Sequence, residues 1–208
     1  MKRIATARLV LEPVTVENAA VLWKIMQSGG LREFQDVPRH TREEFARRVA
    51  SRPKQFDSRA IGRFEWLIVV AETNVAAGWV SLRVGDHARG TAEIGYSLLG
   101  PYRGKGYASE AARAVVDDAF ASTDLRQIDA CCVPANVASR ALLAGVGFTE
   151  TRIQKNGAIV RGRPVDIVMF EMTRERYEAG LAAAALRDAT AHASSANAIV
   201  IPASPNPK

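Results

Sequence analysis

A glycine-rich turn between a strand pattern and a long helix pattern constrains the fold more than any other feature of the sequence. Apolar residues alternate up to Leu99, the turn covers residues 103–108, and apolar residues then recur at helical spacing: Ala112, Val115, Val116, Ala119 and Phe120. Glycine permits positive φ angles and lets a ligand approach the backbone closely. The N–H groups at a helix N-terminus attract anions, and Arg103 and Lys105 add positive charge. The pattern predicts a phosphate or pyrophosphate site, with a tight turn that carries incidental basic residues as the alternative.

The turn differs from the common nucleotide-binding motifs. It lacks the Gly-Lys-Ser/Thr ending of a Walker loop, and it does not match a dinucleotide fingerprint. The strand before it looks antiparallel to its predecessor, which argues against a doubly wound dinucleotide fold. The predicted order is strand, two helices, an antiparallel meander, helix, strand, helix and hairpin. The sequence therefore predicts a mixed α/β fold of the α+β kind.

Local signals place several element boundaries. Thr15 is a candidate cap for the first helix, whose apolar stripe would be Val16, Ala19, Ala20 and Trp23. Residues 41–44 (TREE) have the pattern of a capping box that opens the second helix. Strands are predicted over residues 9–11, 66–71, 80–84, 92–98, 128–133, 153–160 and 164–172.

Composition describes a basic protein of about one domain. The chain has 208 residues, of which 48% are hydrophobic and 24% are charged, so global disorder is excluded. The net charge of +6 favours anionic partners, but no block of about five like charges supports nucleic-acid binding. No apolar run reaches the ~20 residues that span a bilayer. The two cysteines, Cys131 and Cys132, are adjacent on a predicted strand, which disfavours an ordinary disulfide. With no secretory signal at the N-terminus, these features predict a cytoplasmic protein.

A second motif makes the interpretation more specific. Residues 136–139 (NVAS) lie between a predicted strand and a predicted helix, and Gly147-Phe148 follows that helix. By itself Asn136 would be interpreted as a helix cap. Together with the glycine-rich turn, however, these residues follow the order of motifs in one enzyme family.

From about residue 7 to residue 172 the chain resembles the GNAT superfamily of acyl-CoA-dependent N-acetyltransferases, in particular the Rim-type ribosomal-protein N-terminal acetyltransferases. Arg103, Gly106 and Ala108 match that family's pyrophosphate loop, Gln/Arg-x-x-Gly-x-Gly/Ala. The Glu-Ile-Gly-Tyr strand and the Gly-Lys-Gly-Tyr-Ala-x-Glu-Ala helix start of the Rim-type branch are present as well.

The resemblance implies a GNAT fold. This fold has a central, mostly antiparallel sheet of about six to seven strands, flanked by about four helices, with a V-shaped splay between strands 4 and 5. In this sequence those two strands are residues 93–99 and 128–133. We expect the N-acetyltransferase domain to cover residues 1–178. Residues 179–208 would be an Ala-rich C-terminal tail, partly helical and then flexible, because their composition cannot form a packed core.

The resemblance also implies acetyl-CoA (coenzyme A) as cosubstrate and no metal. The pyrophosphate would lie on the amides of residues 104–109, and the pantetheine would pair with backbone near Leu98 and Leu99 like an added strand. Asn136 and Ser139 would meet the pantetheine arm and the sulfur. The expected coenzyme-binding residues are Leu98, Leu99, Arg103, Gly104, Lys105, Gly106, Tyr107, Ala108, Ser109, Asn136 and Ser139.

The implied reaction is direct attack of an amine on the thioester. Glu93, on the strand beside the splay, is the candidate base, with an ordinary solvated strand residue as the alternative. A backbone N–H near Leu98 could stabilise the oxyanion. Many family members carry a tyrosine four residues after the serine of Asn-x-x-Ser, but that position here is Leu143. Ser139 is therefore the candidate proton donor to the thiolate, unless the thiolate leaves without an acid.

The acceptor stays open between a protein N-terminus and a small-molecule amine. A non-catalytic acyl-CoA-binding or sensor domain is a competing function, suggested by Leu143. A ribosome-associated binding module is another, suggested by the positive charge. We expect a peptide or small-molecule amine as partner, no membrane, nucleic acid only through a ribosomal substrate, and a monomer or homodimer.

Overall fold

The computed structural model describes residues 1–35, 40–85 and 90–196. Its strands are β1 Ile4–Ala5, β2 Leu9–Pro13, β3 Gly62–Val70, β4 Val75–Val84, β5 Thr91–Leu98, β6 Gln127–Cys132, β7 Thr149–Val160 and β8 Arg163–Thr173. Its α-helices are α1 Ala19–Met26, α2 Arg42–Ala50, α3 Tyr107–Ser122, α4 Val137–Val146 and α5 Arg174–Ala196. Within these described ranges, no helix is long and apolar enough to cross a membrane.

All eight strands form one sheet in the order β1-β2-β3-β4-β5-β6-β8-β7. Neighbouring strands are antiparallel except β5 and β6, which are parallel. This topology confirms the predicted mixed, mostly antiparallel fold. The seven predicted strands are present, and the additional one is β1, whose two residues are too few to show alternation in the sequence. The fifth helix, α5, begins at Arg174, before the helix-prone alanine run.

The first helix begins later than its cap signal predicts. Asn18, not Thr15, is the residue before α1, and Val16 is exposed rather than buried on the helix. The Asn18 side chain accepts a hydrogen bond from the Thr15 N–H (2.9 Å) and donates to the Pro13 carbonyl (2.8 Å). These bonds hold residues 15–18 in a turn. The predicted capping box of α2 is confirmed, because Thr41 and Glu44 exchange both of its hydrogen bonds.

The core lies on both faces of the sheet. Helices α1 and α2 cover one face through an apolar cluster that includes Phe45 of α2 and Trp79 of β4. Helix α3 packs against α4 and against β2, β4 and β5, while α4 packs against β6 and β7. Ser97 of β5 is the register partner of Trp79, whereas Tyr96 contacts Ser139 of α4. Because consecutive strand residues point to opposite faces, α4 lies opposite α1 and α2.

Residue contacts separate a first compact unit, Met1–Arg174, from a second unit that begins at Glu175. The first unit contains the whole sheet and helices α1 to α4. Every candidate site residue belongs to that first unit.

Candidate functional site

The sheet opens between β5 and β6. Their parallel pairing covers only Thr91–Gln127, Ala92–Ile128 and Glu93–Asp129. Past these pairs β5 continues along β4 to Leu98, and β6 continues along β8 to Cys132. Each strand thus keeps its outer neighbour while the two separate from each other. This opening, called the gap below, is the splay that the resemblance implied.

The backbone of β5 offers hydrogen-bonding groups to the gap. The Leu99 N–H donates to the Ala77 carbonyl beside β4 (2.8 Å), so Leu99 faces away from the gap. Because peptide groups alternate along a strand, Ile94, Tyr96 and Leu98 direct theirs toward the gap. The Arg103 Nε donates to the Leu98 carbonyl (3.0 Å), which leaves the Leu98 N–H as the group at the gap's outer end. An extended ligand could add here like a strand, and Leu99, unlike Leu98, would not pair with it.

The glycine-rich turn has the backbone that the sequence predicted. Gly104 and Gly106 have φ angles of +74° and +79°, and Gly106 directly precedes α3. A Cβ built at Gly104 meets no atom within 4 Å, so open space lies over this turn. The first-turn amides of Tyr107, Ala108 and Ser109 lack helical carbonyl partners, as at any helix start. The turn therefore fits a phosphate-bearing group.

Arg103 donates hydrogen bonds to two backbone carbonyls. Its Nε donates to the Leu98 carbonyl and its Nη2 donates to the Gly30 carbonyl (2.9 Å). The guanidinium thus links the end of β5 to the segment after α1. Arg103 thus shapes the walls of the gap, and both Arg103 and Lys105 are exposed cations of the turn.

An acidic side chain in the first turn of α3 is neutralised locally. The Glu110 carboxylate accepts hydrogen bonds from the Thr6 hydroxyl (2.6 Å) and from the Arg8 backbone (2.9 Å) and Nε (2.7 Å). Partial burial raises the pKa of Glu110, but these hydrogen bonds outweigh it and the pKa is lowered. Arg8 also donates to the Lys105 carbonyl (2.9 Å). The network fastens the turn to the N-terminal strands and offsets a charge that would repel an anion.

The Asn-x-x-Ser motif forms the start of α4 beside the gap. Asn136 is the residue before the helix, and its Oδ1 accepts from the Ser139 N–H (3.1 Å). The Ser139 hydroxyl lies 2.9 Å from the Tyr96 hydroxyl across the gap. Tyr96 was not among the residues predicted from sequence. The alternation of Ile94, Tyr96 and Leu98 could have assigned its face, but not its contact with α4.

Glu93 lies where the paired part of β5 ends. Its Oε2 accepts a hydrogen bond from Arg83 Nη2 on β4 (2.6 Å), and 46% of its side chain is exposed. Odd and even residues of β5 face opposite sides of the sheet, so Glu93 points to the α1–α2 side and Tyr96 to the α4 side. The two side chains therefore border the gap from opposite faces.

On the face that carries Glu93, the next residues of β5 have little or no side chain. Gly95 follows Glu93 on this face and carries no side chain, and a Cβ there would come 3.4 Å from Ser81 Oγ. Ser97 comes next on the same face, where its Oγ accepts from Gln35 Nε2 (3.0 Å). These residues leave room for a small group between a carboxylate and a hydroxyl.

A buried ion pair lies on β3, in register with Ser81 and Gly95. Glu65 of β3 is 1% exposed and forms ion pairs with Arg52 and with Arg63 (3.3 Å). Glu65 is the register partner of Ser81, which in turn pairs with Gly95. Burial lowers the pKa of Arg52, and the neighbouring Glu65 carboxylate opposes that shift. Glu65 directly precedes the predicted apolar strand and was not predicted from sequence as a site-supporting residue.

Two further features concern metal ligands and Asp166. Among the residues with described positions, no group of His, Cys, Asp and Glu could hold a metal ion. Asp166 forms an ion pair with Lys155 (2.7 Å) and accepts from the Asn156 N–H (3.1 Å). It thereby holds the β7–β8 hairpin. The chain has three histidines, His40, His87 and His192, of which His87 lies outside the described residues.

Comparison with known proteins identifies the family. The model of the family "Acetyltransferase (GNAT) domain" matches residues 8–149. An uncharacterized N-acetyltransferase, p20 of Bacillus licheniformis, is 29% identical over 178 residues, covering 85% of this chain and 99% of the relative. The structure of RimL, a ribosomal-protein α-N-acetyltransferase in complex with coenzyme A, is 21% identical, with a TM-score of 0.71 over 83% of this chain and 98% of that one. A spermidine N-acetyltransferase chimera, partly from Vibrio cholerae, is 16% identical, with a TM-score of 0.71 over 82% of this chain and 98% of that one. The chain therefore belongs to the GNAT family and is an acyl-CoA-dependent acetyltransferase.

Proposed function

We propose that this enzyme moves acetyl from acetyl-CoA to a primary amine, either a protein N-terminus or a small-molecule amine, by direct attack on the thioester. The observation that supports the proposal is the gap between β5 and β6, which has strand backbone not paired with another strand along one wall and a glycine turn with positive φ angles before α3 at its outer end. A pantetheine arm needs an extended backbone partner, and a pyrophosphate needs N–H donors.

The coenzyme would enter with its pyrophosphate on the amides of residues 104–109, near Lys105. Its pantetheine would pair with the Leu98 N–H, and its sulfur would lie near Ser139. In this arrangement Arg103 and Leu99 hold β5 in place, because their hydrogen bonds go to Leu98 and Ala77. The acyl-CoA supplies the activated acetyl group, and the protein supplies its orientation.

The acceptor would approach from the face that carries Glu93. An ammonium must lose a proton before it attacks, and an α-amine with a pKa of about 8 does so more readily than a lysine with a pKa of about 10.4. Glu93 would take this proton, directly or through water. The Leu98 N–H would stabilise the oxyanion, and Ser139 would return a proton to the departing thiolate.

Two structural neighbours suggest the acceptor classes to test. RimL is named for a ribosomal-protein α-amine, and the other neighbour is named for spermidine. Both acceptors are primary amines. The half-exposed Glu93 and the absence of a side chain at Gly95 suit either an extended peptide terminus or a slender polyamine.

The experiment is a screen of acceptors with free coenzyme A thiol as the readout. The panel contains Ser-, Ala- and Met-starting peptides, spermidine, single amino acids and an Nα-blocked lysine peptide. We expect thiol release that depends on one amine class and is absent from the blocked peptide. Coenzyme binding without thiol release for any amine would instead support the sensor alternative and refute the proposed transfer.

A further inference from the structure

We propose that Tyr96 is a positioning residue for acetyl transfer: its hydroxyl donates to Ser139 Oγ and so directs the Ser139 proton toward the coenzyme sulfur. The inference rests on the proposed function, in which Ser139 protonates the departing thiolate. Both walls of the gap would then contribute a residue to the protonation step, because Tyr96 lies on β5 and Ser139 on α4.

The geometry holds the serine from two directions. Its backbone N–H donates to Asn136 Oδ1 (3.1 Å), which fixes the start of α4. Its Oγ lies 2.9 Å from the Tyr96 hydroxyl, and both side chains are partly buried. A serine hydroxyl rotates freely unless a partner fixes it. Here the partner is Tyr96 of β5. Leu98, the next residue of β5 that faces the gap, directs its N–H into it.

Either hydroxyl could donate in this geometry, and relative acidity favours Tyr96 as the donor. A phenol is a stronger acid than an aliphatic alcohol, so we assign Tyr96 as donor and Ser139 as acceptor. Burial raises the pKa of Tyr96 to about 12, so the phenol keeps its proton at neutral pH. With one lone pair of Ser139 Oγ occupied by this bond, the serine's own proton is available to another acceptor.

The proton-transfer step balances as follows. The C–S bond of the tetrahedral intermediate breaks and its electron pair goes to sulfur. The Ser139 O–H bond breaks as the S–H bond forms, and the Tyr96 hydrogen bond stabilises the negative charge that grows on Oγ. The nitrogen of the intermediate still carries one extra proton, and as the amide forms this proton passes through water to the Ser139 alkoxide. The proton that Glu93 took from the ammonium passes to solvent.

The position that carries tyrosine in many relatives cannot serve this purpose here. Leu143 is 1% exposed and belongs to the buried core. A phenol hydroxyl nevertheless reaches the motif serine, because Tyr96 supplies it from the opposite wall of the gap.

The test is a double-mutant cycle of Tyr96→Phe and Ser139→Ala, measured as kcat, KM for acetyl-CoA, Kd for coenzyme A and Tm. We expect Tyr96→Phe to lower kcat by roughly 10- to 100-fold, the scale of a hydrogen bond to a charged group, and to leave KM and Kd within about twofold. In the Ser139→Ala background the same change should cost less than about twofold, because its partner is gone. Tyr102→Phe removes a different phenol hydroxyl and should leave kcat within about twofold.

Wild-type turnover tests the proposed function, and the ratios among the variants test this inference separately. A Tyr96→Phe enzyme with near wild-type kcat would overturn the inference while acetyl transfer stands. An equally large Tyr96→Phe loss with and without Ser139 would also overturn it, because Tyr96 would then act independently. A Ser139→Ala enzyme with unchanged kcat would remove the assigned role of Ser139 and this inference with it.

Discussion

Single residues of β5 present different functional groups on the two faces of the sheet. Glu93 faces the α1–α2 side, where it accepts a hydrogen bond from Arg83, and Tyr96 faces α4. Leu98 directs its N–H into the gap between them. A thioester in this gap would have a carboxylate on one side and a hydroxyl on the other. Removal of an amine proton and protonation of a thiolate would then occur at separate places.

Glu93→Gln tests the carboxylate without changing its shape. The amide oxygen can still accept from Arg83, but the side chain no longer takes a proton. We expect kcat to fall by at least about a hundredfold at neutral pH, within the range of a positioned base. The loss should shrink as pH rises, because more amine is already deprotonated. The pH–rate profile of both enzymes measures this, and the affinity for acetyl-CoA should barely change.

Asp129→Asn is the matched control for that prediction. Asp129 is the register partner of Glu93 on β6, and its Oδ1 accepts from Gln127. Removing its charge changes the local field but not the proposed base, so kcat should stay within about threefold. Equal losses for the two variants would point to a general field effect and contradict a base role for Glu93.

Leu143→Tyr restores the residue type of the family pattern, and the structure predicts that the new hydroxyl brings no gain. Leu143 is 1% exposed, so a larger side chain would overpack the core at a cost of about 1–3 kcal/mol. Thermal denaturation should show a lower Tm, and kcat should not rise. Leu143→Met conserves volume and should cost less than about 1.5 kcal/mol. A stable, faster Leu143→Tyr enzyme would show that this helix face has room for an acid.

Among the elements, the turn before α3 determines coenzyme binding in this account. Gly106→Glu places a carboxylate where the pyrophosphate would lie, so acetyl-CoA should no longer raise the Tm. The substitution also strains a residue with a φ angle of +79°, and its Cβ would come 3.2 Å from Arg8. The control is Gly162→Glu in the β7–β8 turn, which has a φ angle of +76° and open space around it.

The two glycine variants separate strain from ligand binding. Gly162→Glu should lose stability but keep its thermal protection by acetyl-CoA. Protection retained in Gly106→Glu would contradict the assignment of this turn to the pyrophosphate.

Local signals predicted the elements well, and long-range contacts account for what they did not predict. The capping box at Thr41 and the helix after Gly106 follow from hydrogen bonds and periodicity within a few residues. The late start of α1 depends on Asn18 bonding back to Pro13, which competes with a cap at Thr15.

The same distinction applies to the site. The resemblance to the GNAT superfamily predicted the gap and the glycine-rich turn at its end. The orientation of Arg103 toward Leu98 and Gly30, and the contact of Tyr96 with Ser139, depend on how distant segments pack. A sequence without an alignment carries no signal for such pairs.

At the scale of the whole molecule, we propose that the C-terminal tail is dispensable for acetyl transfer. All candidate site residues lie in the unit Met1–Arg174, and residues 186–208 are rich in Ala, Ser, Asn and Pro. Truncation after Ala185 should keep kcat/KM within about threefold, or roughly 0.7 kcal/mol. Steady-state kinetics of both proteins measures this. A larger loss would mean that the tail contributes to the site or to a partner subunit.

The stoichiometry of transfer tests the central claim most directly. With the best amine from the acceptor screen, mass spectrometry counts acetylated amine while a thiol reagent counts free coenzyme A in the same reaction. Direct transfer predicts one acetylated amine for each thiol released at every time point. Thiol release without acetylated amine, or coenzyme binding with neither product, would contradict the account.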